Sequence, residues 1–441
     1  MKKRVLRHLS PLPLAAFVLL AYVPALRAQT AASASTFGLH DGDRVTFYGD
    51  SITEQREYTE DVENFVLTRF PGWKVSFHNA GVGGDKVSGG WAGPVDLRLR
   101  RDVFAFNPTV VTVMLGMNDI YYRPEELGIF STYAAGYRHI VEELQRNAPH
   151  PRITLIEPSP YDDVTREPLQ GAGYNAPLVH DSEFIAQLSH ERQTLVADFN
   201  TPVNALLKTL QQQSPEFATQ VIPDRIHPAQ AGHWIMAESL LKAWNAPAVV
   251  SSVVLSAGAK GGAEARNAQV TDLHAAVDPR HAKARLTWSE LDAALPLPFP
   301  PAELDPVMAL TLKASDLLSN LDQQTLQVHG LPIGNYDLLI DDRRVATLTS
   351  DELVAGVNLA TLDTPMLAQA RLVAYDTERK NDIESAWFKV INVSAAAEAL
   401  PAAAALARAI PAAEQRQRQD AQPVSHRFEL TLEGSAAPAP Q

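Results

Sequence analysis

The sequence predicts an α/β fold: a three-layer α/β/α sandwich around a parallel sheet, followed by a smaller β-containing accessory region. Three features carry that expectation. Between Asp41 and about Trp244, β-rich runs alternate with segments of helical periodicity, the pattern of strands joined by crossover helices. One of those runs, "PTVVTVMLG", is apolar almost without interruption, as in a strand covered on both faces. After "NAPAVV" the alternation ends, and short β-like runs punctuated by Gly, Asn and Asp take over.

Taken in order, "RVTFYG" is a strand running into Gly49-Asp50-Ser51. "EDVENFVLTRF" repeats Val62, Phe65, Val66 and the Arg69 stem at helical spacing and stops at Pro71-Gly72. "WKVSFHNAG" and "PTVVTVMLG" are the second and third strands. "STYAAGYRHIVEELQRNAP" reads as an amphipathic helix opened by Ser131 and closed by Pro149. "RITLIEPSP" and "QTLVADFN" supply two more strands, with a helix around Asn175 to Glu191 between them, and "AQAGHWIMAESLLKAWN" is the last helix. The α/β part is bounded at residues 38–247 and the accessory part at 248–395. Within the latter, "ALPLPFPPAELDP" reads as an irregular connection. "TLQVHGLPIGNYDLLIDDRRVATLT" reads as three strands joined by hairpin turns at Gly330, Gly334-Asn335 and Asp341-Asp342. Residues 396–441 are Ala/Pro/Gln-rich and read as linker or tail, with one alternating segment at 426–433 able to form a strand.

The chain opens with Lys2, Lys3, Arg4 and Arg7, then an apolar run broken by Pro13 and Pro24, then small residues. A basic start, short apolar middle and small-residue end are expected of a secretory signal peptide over residues 1–28, cleaved near Ala28. A membrane anchor needs about 20 continuous apolar residues. Removing that segment takes away five basic residues and no acids, moving the formal charge from −13 to −18. Such acidity disfavours nucleic acid or anionic lipid as partners. With no cysteine in 441 residues, disulfides, thiolate metal sites and a thiol nucleophile are excluded. A bacterial secreted or periplasmic location is the expectation.

Polar residues gather where the strands of such a sheet should end, which is where ligands bind. Acyl transfer needs a hydroxyl, an imidazole to take its proton, a carboxylate to orient the imidazole, and donors aimed at the oxyanion. Ser51, His227 and Asp224 fit the first three needs. The Ser51 N–H, the Gly81 N–H and the Asn118 side-chain amide fit the last, a glycine at 81 allowing a bare amide close approach. Trp91 and Tyr121-Tyr122 are candidate cleft-lining aromatics, while Asp119, His233 and Trp234 read as structural.

"GDSIT" (Gly49 to Thr53), "NAG" (Asn79 to Gly81), "GMND" (Gly116 to Asp119) and "DRIH" (Asp224 to His227), in that order, resemble the four blocks of the SGNH or GDSL-type hydrolases. The resemblance covers roughly the first half of the chain. It implies that Ser51 is nucleophile, Gly81 and Asn118 oxyanion donors, His227 base and Asp224 its partner. Gln55 stands where many relatives carry glycine, so it is expected to line or narrow the site. Thr53 breaks the G-x-S-x-G elbow of ordinary α/β-hydrolases. "GVGGDKVSGG" lacks both phosphate-loop patterns, and "HERQT" lacks the second His of a zinc motif. The expectation is therefore a secreted serine esterase without metal or organic cofactor, acting on short acyl, most simply acetyl, esters of carbohydrates. The alternatives are a lipase or thioesterase for longer chains, and a carbohydrate-binding protein that keeps the scaffold without catalysis.

Overall fold

The computed structural model describes residues 37–120, 127–147, 149–169, 173–258, 261–278, 281, 283–393 and 400–433. The expected signal peptide lies outside these. Five strands form the first sheet: β1 (Arg44–Gly49), β2 (Ser76–Gly81), β3 (Val110–Met114), β4 (Arg152–Glu157) and β5 (Leu195–Asp198). Their spatial order is β2-β1-β3-β4-β5, and every neighbouring pair is parallel. All five residues of β3 are buried. Val110 and Met114 pack into one core, and Val111 and Val113 into the core on the opposite face, which is why its sequence shows no polar alternation.

Helices cover both faces. On one lie α2 (Glu57–Arg69) and α7 (Gln230–Ala243), whose Val62, Phe65, Trp234 and Leu240 meet Val45 and Phe47 of β1. On the other, α3 (Leu127–Arg146) brings Tyr133, Tyr137 and Ile140 against Tyr48 and Leu155, with α4 (Asn175–Arg192) beside it. A short helix, α1 (Ser51–Glu54), follows β1 directly, while α5 (Asn200–Gln213) and α6 (Pro215–Val221) precede α7. The three-layer α/β/α arrangement is therefore present. α3 already includes Gly128, so Ser131 lies inside the helix rather than capping it; its hydroxyl donates to the Gly128 carbonyl at 3.1 Å.

The second half holds two further sheets. Strands β6 (Val249–Ser256), β7 (Gly262–Arg266), β10 (Gln323–His329) and β13 (Val357–Asn358) order as β13-β10-β6-β7, with β6 and β10 parallel. Strands β8 (Ala268–Asp278), β9 (Lys283–Asp292), β11 (Asn335–Ile340), β12 (Arg343–Thr349) and β14 (His426–Leu432) form an antiparallel sheet ordered β8-β9-β14-β11-β12. The β11–β12 hairpin turns on Asp341 and Asp342, both at positive φ (50° and 63°), as a two-residue primed turn requires. Gly330 and Gly334-Asn335, in contrast, do not close a hairpin, because β10 and β11 belong to different sheets.

The three longest helices of the second half depart from the sequence reading. The stretch after the Pro-rich connection folds as α8 (Pro306–Ala314), capped by Asp305, whose carboxylate accepts from the Met308 N–H at 2.8 Å. α9 (Pro365–Val393) runs for 29 residues. The expected tail contains α10 (Leu400–Asp420), paired with α9 through Gln417, whose amide donates to the Thr377 hydroxyl at 3.0 Å. Alanine has the highest helix propensity, and here that preference together with packing prevails over the disorder-like composition. The described residues belong to one compact unit, Ser33–Gln441.

α9 meets the first half along α2. Lys380 Nζ reaches Glu63 Oε2 at 2.9 Å and Glu384 Oε2 at 3.3 Å, and Glu384 Oε1 hydrogen-bonds His78 Nδ1 at 2.5 Å. Asn381 donates to the same Glu63 Oε2 and Gln417 to Glu63 Oε1, each at 3.0 Å. Burial alone would push the Lys380 ammonium toward neutrality; Glu63 and Glu384 outweigh it and keep the group charged.

Candidate active site

β1 ends at Gly49, where a Cβ would lie 2.1 Å from Thr53 Oγ1, so only glycine lets the chain fold back this tightly into α1. Asp50 caps that helix, accepting from the Ile52 N–H at 3.0 Å. Burial pushes its carboxyl up to about 7, against the pull of the Ile52 hydrogen bond. Ser51 is thereby fixed as the first helical residue, at the carboxyl end of β1.

A second chain segment arrives from the loop between α6 and α7. Ser51 Oγ lies 2.8 Å from His227 Nε2, although the two residues are 176 positions apart. His227 Nδ1 lies 2.7 Å from Asp224 Oδ2, and Asp224 Oδ1 accepts from the backbone N–H groups of Ile226 (2.9 Å) and His227 (2.7 Å). Partial burial raises the Asp224 carboxyl, but the hydrogen bonds from the His227 backbone and ring and from Ile226 outweigh it, leaving the group below the usual range. Arg225, between them, adopts φ +75°. Its carbonyl accepts from the Asp162 N–H at 2.9 Å, and its guanidinium donates to the Glu167 carbonyl at 2.7 Å. The segment after β4 thus holds the Asp224–His227 turn in shape. Gln55 adds a tie of its own, donating to the Pro228 carbonyl at 3.3 Å. The structure therefore brings Ser51, His227 and Asp224 into one hydrogen-bonded chain, able to carry a proton away from the hydroxyl.

The loop after β2 corrects the reading of Gly81. The Val82 N–H donates to the Gly49 carbonyl of β1 at 3.0 Å, so the Gly81 N–H, one residue earlier, points away from β1. It donates to Asn79 Oδ1 at 3.0 Å. A Cβ at Gly81 would lie 2.3 Å from the Glu54 nitrogen, so the missing side chain makes room for α1, not for substrate. Gly84, three residues on, has φ +78°, nothing within 4 Å of a built Cβ, and no hydrogen bond to its N–H among the described residues. The sequence signal was the Gly83-Gly84 pair itself, a turn requiring positive φ.

Asn118 reaches the same loop, donating to the Asp85 carbonyl at 3.1 Å. Asp119 is buried and accepts from the Val87 N–H at 3.1 Å, a structural position. Asp85 is held in turn by Arg98 Nε at 2.7 Å. Trp91 is 64% exposed at the rim, its indole N–H donating to the Gly83 carbonyl at 2.8 Å. Tyr121 and Tyr122 lie outside the described residues. His233 is buried under Tyr58, accepting its backbone N–H at 3.3 Å. A cleft adjoins this loop, with Glu54, Trp91, Ser385, Phe388 and Lys389 in its wall. Among the described residues, no group of three or more His, Asp or Glu side chains is arranged to hold a metal ion.

Residues 47–235 match the family model described as the GDSL-like Lipase/Acylhydrolase family. Over 224 residues the chain is 25% identical to an acetylxylan esterase of Geobacillus stearothermophilus, covering 46% of this chain and 93% of that protein. Among solved structures, a gut microbial diltiazem-metabolizing enzyme, 24% identical, superposes with a TM-score of 0.77 over 89% of this chain and 98% of its own. That likeness extends the shared fold well into the second half. The crystal structure of an acetylxylan esterase from Geobacillus stearothermophilus, 25% identical, covers 47% of this chain and 95% of its own at a TM-score of 0.37.

Proposed function

Since residues 47–235 form a domain of the GDSL-like lipase/acylhydrolase family and the protein is an ester hydrolase, we propose that Ser51, His227 and Asp224 carry the reaction on short acyl esters of carbohydrates. The observation behind this reading is the 2.8 Å contact between Ser51 Oγ and His227 Nε2, with Asp224 on the far ring nitrogen. Ser51 Oγ attacks the ester carbonyl carbon as His227 takes its proton. The tetrahedral oxyanion is held by the N–H groups of Ser51 and Gly84 and the Asn118 amide. Collapse breaks the bond to the alcohol, which leaves with the proton from His227. Water then attacks the acyl-enzyme in the same way and releases the acid. Asp224 keeps its charge throughout, orienting the imidazole and stabilising its protonated form.

An acetyl ester of a hydroxylated ring is supported by two observations. The relative 25% identical over the matching half is named an acetylxylan esterase. The cleft against Gly81, Val82 and Trp91 is lined by Glu54, Ser385 and Lys389, polar groups able to meet hydroxyls, beside the apolar Phe388. Export of the protein is part of the same proposal and stands on the amino-terminal sequence. No helix among the described residues is long and apolar enough to cross a membrane.

Ser51→Ala should lower kcat on an aryl acetate by about a thousandfold or more while leaving the thermal unfolding midpoint in place. A variant as fast as the parent would overturn the serine assignment. Turnover of aryl acetate is expected to exceed that of aryl octanoate. The reverse order would replace the acetyl reading with a lipase or thioesterase.

A further inference from the structure

Trp91 has an exposed ring, yet its only hydrogen-bonding group is directed into the loop beside Ser51. Gly83 is held through both of its peptides: its N–H, in the Val82–Gly83 unit, donates to Glu54 Oε2 at 2.6 Å, and its carbonyl, in the Gly83–Gly84 unit, accepts from the Trp91 indole at 2.8 Å. That carbonyl shares one rigid trans peptide plane with the Gly84 N–H, and the two point in opposite directions. Fixing the carbonyl toward Trp91 therefore fixes where the Gly84 N–H points. The loop lies close to the hydroxyl, since a Cβ built on Gly83 would be 3.8 Å from Ser51 Cβ. Two adjacent glycines would otherwise leave this peptide free to rotate. Donation into the carbonyl also polarises the unit and strengthens its N–H as a donor.

The grip reaches beyond the first half of the chain. Glu54 Oε1 faces Lys389 Nζ of α9 at 3.6 Å, while Oε2 holds Gly83. α9 belongs to the accessory half, and its Lys389, Ser385 and Phe388 form the far wall of the cleft.

We propose that Trp91, on the Gly83–Gly84 peptide itself, and the Glu54–Lys389 pair, on the Val82–Gly83 peptide before it, are positioning residues that hold the Gly84 N–H on the developing oxyanion, so that the accessory half contributes to the chemical step. The proposal rests on the esterase reading above. It assigns α9 a role no motif in the sequence points to: a cation supplied across the interface to steady the carboxylate that grips the loop.

An aryl acetate assay with the full chain tests it. Trp91→Phe keeps the ring and removes the indole N–H. It should lower kcat about tenfold, a fraction of the hundred- to thousandfold loss that follows removal of an oxyanion donor outright. KM should stay within about twofold, because the interaction strengthens only in the transition state. Lys389→Met should lower kcat about threefold or more, and Lys389→Arg should restore it. Unchanged kcat in Trp91→Phe, or a loss expressed wholly in KM as for a stacking platform, would overturn the proposal. So would a Lys389→Met defect that arginine fails to rescue. Ser51→Ala measured alongside separates the levels. If it is inert while Trp91→Phe and Lys389→Met match the parent, only the positioning roles fall. If Ser51→Ala matches the parent, the esterase reading beneath them falls.

Discussion

A methyl group at position 81 would sit 2.3 Å from the Glu54 nitrogen and 2.6 Å from the Thr53 carbonyl carbon. Gly81→Ala must therefore displace α1, and Ser51 with it. We expect at least a tenfold loss of kcat together with a lowered unfolding midpoint, read by kinetics and thermal denaturation. Ser51, Asp224 and His227 were legible in the sequence because their chemistry is written in residue type and spacing. That the Gly81 N–H is taken up by Asn79 Oδ1 was not. Which amide faces the hydroxyl depends on the register of β2 against β1, where alternate N–H groups point to opposite sides, and residue type carries no record of it. His233, read as a packing residue, allows a pH test. Burial holds its imidazole neutral, with the pKa lowered from 6.5 to about 3. Between those values the unfolded chain takes up a proton that the folded one refuses. The residue thus costs stability as pH falls, by up to about 1.4 kcal/mol per pH unit. His233→Gln, which keeps an acceptor for the Tyr58 N–H, should flatten the fall in urea-unfolding free energy between pH 6.5 and 4 relative to the parent.

At the scale of elements, the parallel sheet was legible because β1, β3 and β4 are apolar runs bounded by turn residues. The second half was harder to read. α9 buries charges, Lys380 and Glu384 among them, which dilutes the apolar periodicity that identifies a helix. α10 is built from alanines that also populate linkers. β14 was foreseen as a strand, but nothing local says that it lies between β9 and β11. Its Phe428, Leu430 and Leu432 are buried, with Phe428 stacked on Trp288 at 5.0 Å. A chain truncated after residue 395 should therefore lose the middle of that sheet and the partner of α9. We expect it to be recovered largely as aggregate, as exposed strand edges favour, and size-exclusion chromatography of the soluble fraction measures this. A soluble, monomeric truncation would mean that the strand is dispensable.

For the molecule as a whole, the two halves are joined by buried charge as well as by apolar surface. Glu63 of α2 is met by Lys380, Asn381 and Gln417, all from beyond residue 247. Arg69 donates to the carbonyls of Pro247 and Leu321, both at 2.8 Å. Removing one member of a buried ion pair typically costs about 3–5 kcal/mol, because the partner is left charged and unsolvated. Lys380→Met should destabilise the protein on that scale in equilibrium denaturation. Residues 37–247 expressed alone leave Glu63 and His78 without these partners and Arg69 without the Leu321 carbonyl, and should not yield a stable enzyme.

The place of β14 bears on how the protein is made. The antiparallel sheet receives its central member from residues 426–432, after every other described strand has been synthesised. Until that segment leaves the ribosome, β8–β9 and β11–β12 are separate ribbons with an empty slot between them, each presenting unbonded backbone to its surroundings. Closure of the second half, and with it the seating of α9 against the esterase domain, is thus a late event that waits on a short stretch of chain far from the serine.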